Sequence, residues 1–248
     1  MSIAAAILVA TGCGTKDAAD PLQPTGPTGR IRFVNLITDP TRNPVNAILE
    51  GLPFGVGLGY TQSTPATLPA PSTANYSPVY AGDRSIVLKR TADTTVTVGT
   101  LSVSVAADND YTVFATGGTG GSAVTAFTTT DVNTPIPNGQ VRIRVVNVSP
   151  AAGAVDVFIT APNADLATAT PVATALANRA TFAGVTAAPG NYQVRTVPAG
   201  TAPAARAAAV NTSFTTPAAI AAGGGRTIVI ADAPAGGAPP RSFALTDQ

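Results

Sequence analysis

Carboxylates are the one conventional catalytic chemistry this chain can offer, because it contains no His. Ser-His-Asp and Cys-His arrangements are excluded, and so is any imidazole ligand for zinc or copper. The single Cys, Cys13, stands near the N-terminus, outside any expected folded unit, which excludes a catalytic thiol there. A Ser-Lys pair would have to use Lys89, which lies beside Arg90 on an expected strand and reads as a solvated edge. Glu50 is the sole Glu, at the expected end of a strand before Gly51-Leu-Pro53. Asp108-Asn-Asp110 gathers three oxygen-bearing side chains, the hard ligands Ca²⁺ takes. A turn, in which Asp and Asn bond nearby backbone groups, accounts for the same residues and is preferred. Asp108 and Asp110 are therefore the only candidate cation ligands. No cofactor, transition metal or nucleophilic site is expected. Gly117-Gly-Thr-Gly-Gly121 and Gly223-Gly-Gly225 are not phosphate loops, since strands rather than helices are expected to follow them. Aromatic residues are few, and Tyr60, Tyr76 and Tyr80 form the nearest thing to a cluster, around the Pro/Thr/Ser-rich stretch 61–74.

What would position these residues is a β scaffold. Of 248 residues, 24 are Gly and 22 Pro, only 11% are charged, and 45% are hydrophobic. That composition excludes a disordered chain and a coiled coil. A net charge of +1 leaves no basic surplus for nucleic acid.

The N-terminus reads differently. An apolar run from Ile3 to Ala10 is too short to span a bilayer, which takes roughly 20 residues. It leads through Ala10-Thr-Gly12 into Cys13. This resembles the bacterial lipoprotein signal, in which the Cys becomes the acylated first residue of the mature protein. Ala10 stands where Leu is usual, and no Lys or Arg precedes the apolar run. The resemblance implies a signal peptide over residues 1–12 and a lipidated tether over 13–28, with the membrane as partner through Cys13. Gly14 follows the Cys in place of an inner-membrane Asp, so the expected address is the outer membrane of the cell envelope.

From Arg30 the pattern has period two, as a strand with one buried face requires. Arg30-Ile-Arg-Phe-Val-Asn35 recurs as Arg142-Ile-Arg-Val-Val-Asn147. Pro44-Val-Asn-Ala-Ile-Leu49 recurs as Ala154-Val-Asp-Val-Phe-Ile159, placing Asn46 and Asp156 at one repeat position. Gly82–Leu88 matches Gly190–Thr196, and Tyr111–Ala115 matches Thr227–Ala231. Matched segments in one order, offset by roughly 110 residues, indicate a duplication of a whole domain. Further strands are expected at 95–105, 123–128, 206–214 and 241–245, about seven per repeat, the number an antiparallel sandwich uses. The Ala-rich stretches 167–180 and 202–210 lack an amphipathic period and are expected to be loop or strand.

The run Val141-Arg-Ile-Arg-Val-Val-Asn-Val-Ser-Pro150, followed by Val155-Asp-Val-Phe-Ile159, resembles the opening of domain-of-unknown-function family 4397. That family carries a His where this chain has Asn147 and Asn35. The resemblance covers nearly everything after Gly29 and implies secreted or lipid-anchored β domains, with no activity assigned.

The expected fold is all-β: two tandem antiparallel, immunoglobulin-like sandwiches over 29–133 and 139–248, hinged at Thr134-Pro-Ile-Pro-Asn138. The expected protein is no enzyme but a lipid-anchored binding, adhesion or spacer module. The alternatives are a carboxylate-based polysaccharide enzyme and a self-associating surface subunit.

Overall fold

The structure, a computed structural model, describes residues 26–65 and 75–247. The signal segment, the tether up to residue 25 and Cys13 lie outside the described residues. The chain forms two sandwich-like units and, among the described residues, no α-helix.

The first unit contains β1 (Thr28–Ile37), β2 (Val45–Leu49), β3 (Leu52–Leu58), β4 (Ser77–Tyr80), β5 (Gly82–Arg90), β6 (Asp93–Val105), β7 (Asp110–Gly117) and β8 (Val124–Asp131). The second contains β9 (Val141–Asn147), β10 (Val155–Thr160), β11 (Ala173–Leu176), β12 (Ala180–Ala187), β13 (Gln193–Pro198), β14 (Thr212–Thr215), β15 (Gly225–Ala231) and β16 (Arg241–Thr246). In the first unit the sheets are ordered β4-β1-β7-β8 and β3-β2-β5-β6. In the second they are β12-β9-β15-β16 and β11-β10-β13-β14, the same order advanced by eight strands. The units thus have eight strands each where seven were expected.

The sheets are antiparallel apart from one parallel pair in each unit, β1 with β7 and β9 with β15. The chain leaves each first strand, visits the other sheet twice and returns on the far side of it, which brings the pair into parallel alignment.

Alternation on β1 sends Ile31, Phe33 and Ile37 into the first core with Val45, Ile86, Leu88 and Val113. On β9 it sends Val141, Ile143 and Val145 into the second, with Val155, Val157, Ile228 and Ile230. Asn35 and Asn147 share these inward faces and are fully buried. Each ties its inner sheet to the outer one. Asn35 donates to Leu58 O (2.9 Å) and Asn43 Oδ1 (2.6 Å) while accepting from Ile37 N. Asn147 donates to Leu176 O (3.0 Å) and Gly153 O (2.8 Å) while accepting from Ser149 N.

The register corrects one expected match. Asn35 pairs with Ala115, and Asn147 with Ile230, so Ala115 corresponds to Ile230 and Thr112 to Thr227. The alignment of Tyr111 with Thr227 was one residue out of step, enough to exchange the two faces of a strand. The expected strand 206–214 is also shorter, beginning at Thr212. Ahead of it a 3₁₀ turn at Pro203–Ala205 leads into Arg206, whose guanidinium lies over Phe158 and donates to Leu166 O and Ala169 O.

Candidate functional site

The outward faces of β1 and β9 are not solvated. Val34, Leu36 and Phe114 of the first unit pack against Val146, Val148, Val229, Ala231 and Leu245 of the second as a third core. The two inner sheets therefore lie face to face, giving four sheets in one stack. Segment 134–138 is consequently a connector and no hinge: Arg142 pins its start by donating to Val132 O (2.8 Å) and Thr134 O (2.9 Å). Movement about it would expose the third core. The signal was present in Phe33-Val-Asn-Leu-Ile37 and Val145-Val-Asn-Val148, where apolar residues occupy both faces, the mark of a strand covered on both sides.

At one end of this interface lie four buried charges in reciprocal pairs. Arg32 of the first unit donates to Asp247 of the second (3.0 Å), and Arg144 of the second donates to Asp131 of the first (2.6 Å). Arg32 and Arg144 are repeat equivalents, as are Asp131 and Asp247. Contact of i with j′ and of i′ with j is the signature of a two-fold relation, here within one chain. Thr112 donates to Asp131 and Thr227 to Asp247, again as equivalents. Tyr76 closes this end, donating to Asp131 (2.8 Å) beneath the Arg32 guanidinium, 4.7 Å from the ring centre. Burial pushes the Tyr76 phenol up against the pull of Arg32. Burial also works against the charge on Arg144, but Asp131, with Asp247 behind it, outweighs that and raises its pKa.

The opposite end of the interface opens into a cleft of 200 Å³, lined by Tyr60, Asn178, Arg179, Asp232, Thr116 and Thr125 among others. Thr61 N donates to Asn35 O and Arg179 N to Asn147 O, both from left-handed backbone (φ 68° and 60°). Thr61 and Arg179 are therefore equivalents, and so are Tyr60 and Asn178. Tyr60 of the first unit donates its hydroxyl to Asp232 O of the second. Arg179 of the second reaches back to Thr125 Oγ1 (2.6 Å) and Thr116 Oγ1 (3.2 Å) of the first. The Asp232 Oδ1 atom accepts from Ser149 Oγ and Ala151 N. Burial, with Asp232 nearby, pushes the Tyr60 phenol up. A second, wider cavity of 410 Å³ shares Thr38 and Tyr60 as walls.

The residues singled out from the sequence are placed elsewhere. Asp110 holds Arg30 through both oxygens (2.6 Å each) and also accepts from Asn133. A cation would have to displace that guanidinium. Asp108 sits in the preceding turn with φ 60°. Asn46 accepts from Gly57 N and Thr91 Oγ1, and Asp156 from Ala175 N and Gly200 N, so both bind the neighbouring strand and loop. Glu50 accepts from Ser85 N, and Lys89 donates to Thr97. The three tyrosines do not cluster at one surface: Tyr76 is at the ion-pair end and Tyr60 at the cleft.

The fold and interface define a class of all-β protein made of two sandwich-like units, stacked through their inner sheets. Within that class the chain belongs to the DUF4397 family, a domain of unknown function, whose match spans residues 29–158. The match takes in the first unit and runs through β9 into β10. Among curated proteins none matches the chain. Among solved structures, family 41 carbohydrate-binding modules from streptococcal virulence factors align at 12% identity and a TM-score of 0.23, over 76% of this chain and 88% of theirs. A leucine-rich repeat protein from Bacteroides thetaiotaomicron aligns at 14% identity and a TM-score of 0.17, over 79% of this chain and 25% of that one. Likeness at this level carries no functional weight.

Proposed function

We propose that this chain is a non-catalytic binding module of the bacterial cell envelope, anchored by acylation of Cys13 and made of two copies of the family domain. Its address is the outer membrane. The shared strand order of the two units and the recurrence of Arg30–Asn35 as Arg142–Asn147 support the second copy. The observation that carries the non-catalytic reading is the way carboxylates are engaged. Asp131 and Asp247 are neutralised by arginines, Asp110 by Arg30, and Asp156 by two backbone N–H groups. General acid–base work on a glycosidic bond needs two carboxyl groups flanking an open substrate site. Asp131 and Asp247, which share Arg32 as an ion-pair partner, are buried rather than open to a substrate.

Two measurements test the reading. Wild-type protein is expected in the membrane fraction, with Cys13→Ser soluble or unprocessed; an unmodified Cys13 at the mature N-terminus, seen by mass spectrometry, overturns the anchor. Turnover of any polysaccharide, lost in Asp131→Asn at unchanged fold, overturns the non-catalytic reading.

A further inference from the structure

We propose that the cleft between the units binds a neutral saccharide chain, with Tyr60 as its ring-contacting wall and Arg179, Asn178 and Asp232 as its hydroxyl-reading groups. The inference rests on the reading of the chain as a binding module and supplies the class of ligand. It starts from a break in symmetry. Where the interface is closed, the charged positions and the threonines beside them keep their chemistry: Arg32 and Arg144, Asp131 and Asp247, Thr112 and Thr227. Around the cleft equivalent positions differ. Tyr60 faces Asn178 in the equivalence, Thr61 faces Arg179, and Gly117 faces Asp232. These residues also bond across the interface, and their asymmetry gives the cleft an aromatic ring from one unit and a charged donor and acceptor from the other, the unlike walls that an asymmetric ligand requires.

The chemistry of the lining selects the class. Arg179 is a fixed donor and Asp232 a fixed acceptor, so the pair adds no net charge. Threonine hydroxyls and the Asn178 amide both donate and accept. Among the described residues, Nε and Nη1 of Arg179, the Asn178 amide and Oδ2 of Asp232 make no hydrogen bond. An anion would face Asp232, and a cation would face Arg179. A sugar hydroxyl, which donates and accepts at once, meets both. At 200 Å³ the cleft is below the size of a drug-type pocket and suits a single ring. The 410 Å³ cavity that shares Tyr60 and Thr38 with the cleft gives the chain room to continue.

The test is titration calorimetry on the full chain. The neutral probes are cellotetraose, maltotetraose, mannotetraose and chitotetraose; tetragalacturonate and an Ala/Gly/Pro peptide serve as charged and peptide probes. At least one neutral saccharide is expected to bind saturably, with Tyr60→Ala weakening it roughly tenfold or more. Tyr60→Phe, which keeps the ring, should restore binding to within about threefold. Arg179→Asn, which the left-handed backbone tolerates, gives a second variant independent of Tyr60 and is expected to weaken binding roughly tenfold. Binding of the charged saccharide or the peptide in a Tyr60-dependent manner overturns the saccharide class and leaves the binding module standing. Neutral saccharide binding indifferent to both Tyr60→Ala and Arg179→Asn overturns the site. If no probe binds, the saccharide assignment falls, while the broader reading is judged separately by lipidation and turnover.

Discussion

The two ends of the interface between the units follow opposite rules. At the ion-pair end the charged repeat positions are the same in both units and their side chains are buried, with Arg32 paired to Asp247 and Arg144 to Asp131. At the cleft end the repeat positions differ and their side chains are partly open to solvent. The difference teaches where constraint lies. A buried charge needs a carboxylate to offset it, so both units keep one. A solvated wall tolerates change, and there the units diverge. Stability should therefore be concentrated at the first end, and the second should be free to vary for recognition.

The largest expected effect tests that division directly. Asp131 accepts from Arg144, Tyr76, Thr112 and Thr129 and lies 3.6 Å from Arg32. Asp131→Ala leaves Arg144 buried without its carboxylate, which costs about 3–5 kcal/mol. Asp247→Ala should cost less, because Arg32 retains Thr112 and Thr246 O. At the cleft, Arg179→Asn should cost at most about 1 kcal/mol, since its bonds to Thr116 and Thr125 are exposed. Denaturant unfolding ranks the three. A cleft variant as damaging as Asp131→Ala would break the comparison.

A smaller effect concerns the fastening inside each unit. Asn35 and Asn147 each donate two bonds and accept one from equivalent positions, and they differ only in that Asn35 donates to Asn43 Oδ1 where Asn147 donates to Gly153 O, so Asn35→Ala and Asn147→Ala should destabilise by similar amounts. Each strands buried backbone partners, at about 1–3 kcal/mol. Unfolding midpoints that differ widely between the two would show that the units do not share this device.

Much of this was legible in the residues. Period-two alternation disclosed the strands, and the recurrence of Arg30–Asn35 as Arg142–Asn147 anticipated two units of one strand order, because pattern follows from one face being buried. The stacking of the units was less legible. In the sequence Arg32 and Arg144 are charges alternating with apolar residues, and the carboxylates that neutralise them stand 215 and 13 positions away with no pattern linking them. The cleft was hidden for the same reason: Tyr60, Arg179 and Asp232 meet only after both units have folded and stacked. Tyr111 and Thr227 were matched by chemistry rather than register, and only the ladder to β1 and β9 separates the two.

The smallest expected effect sharpens the comparison at the cleft end, where the two units cap one turn differently. After β1 the turn is capped from within: Asp39 accepts from Thr41 N (2.9 Å) and Thr41 Oγ1 (2.7 Å). After β9 the equivalent position is Ala151, and the turn is capped from a distance by Asp232 through Ser149 Oγ and Ala151 N. The Thr41 side chain and N–H, with Arg42 nearby, hold the Asp39 carboxyl below its ordinary value of 3.8. A carboxyl depressed in the folded state stabilises above its unfolded pKa, and that contribution is lost as pH falls through the lower folded value. Asp39→Asn should therefore lower the melting temperature slightly at neutral pH, with the difference from wild type closing as the pH falls below the ordinary carboxyl value of 3.8. Thermal unfolding across that range is the measurement. A gap that persists at the acid end would mean that Asp39 acts through packing rather than through its charge, unlike the turn after β9, which is held by the Asp232 carboxylate.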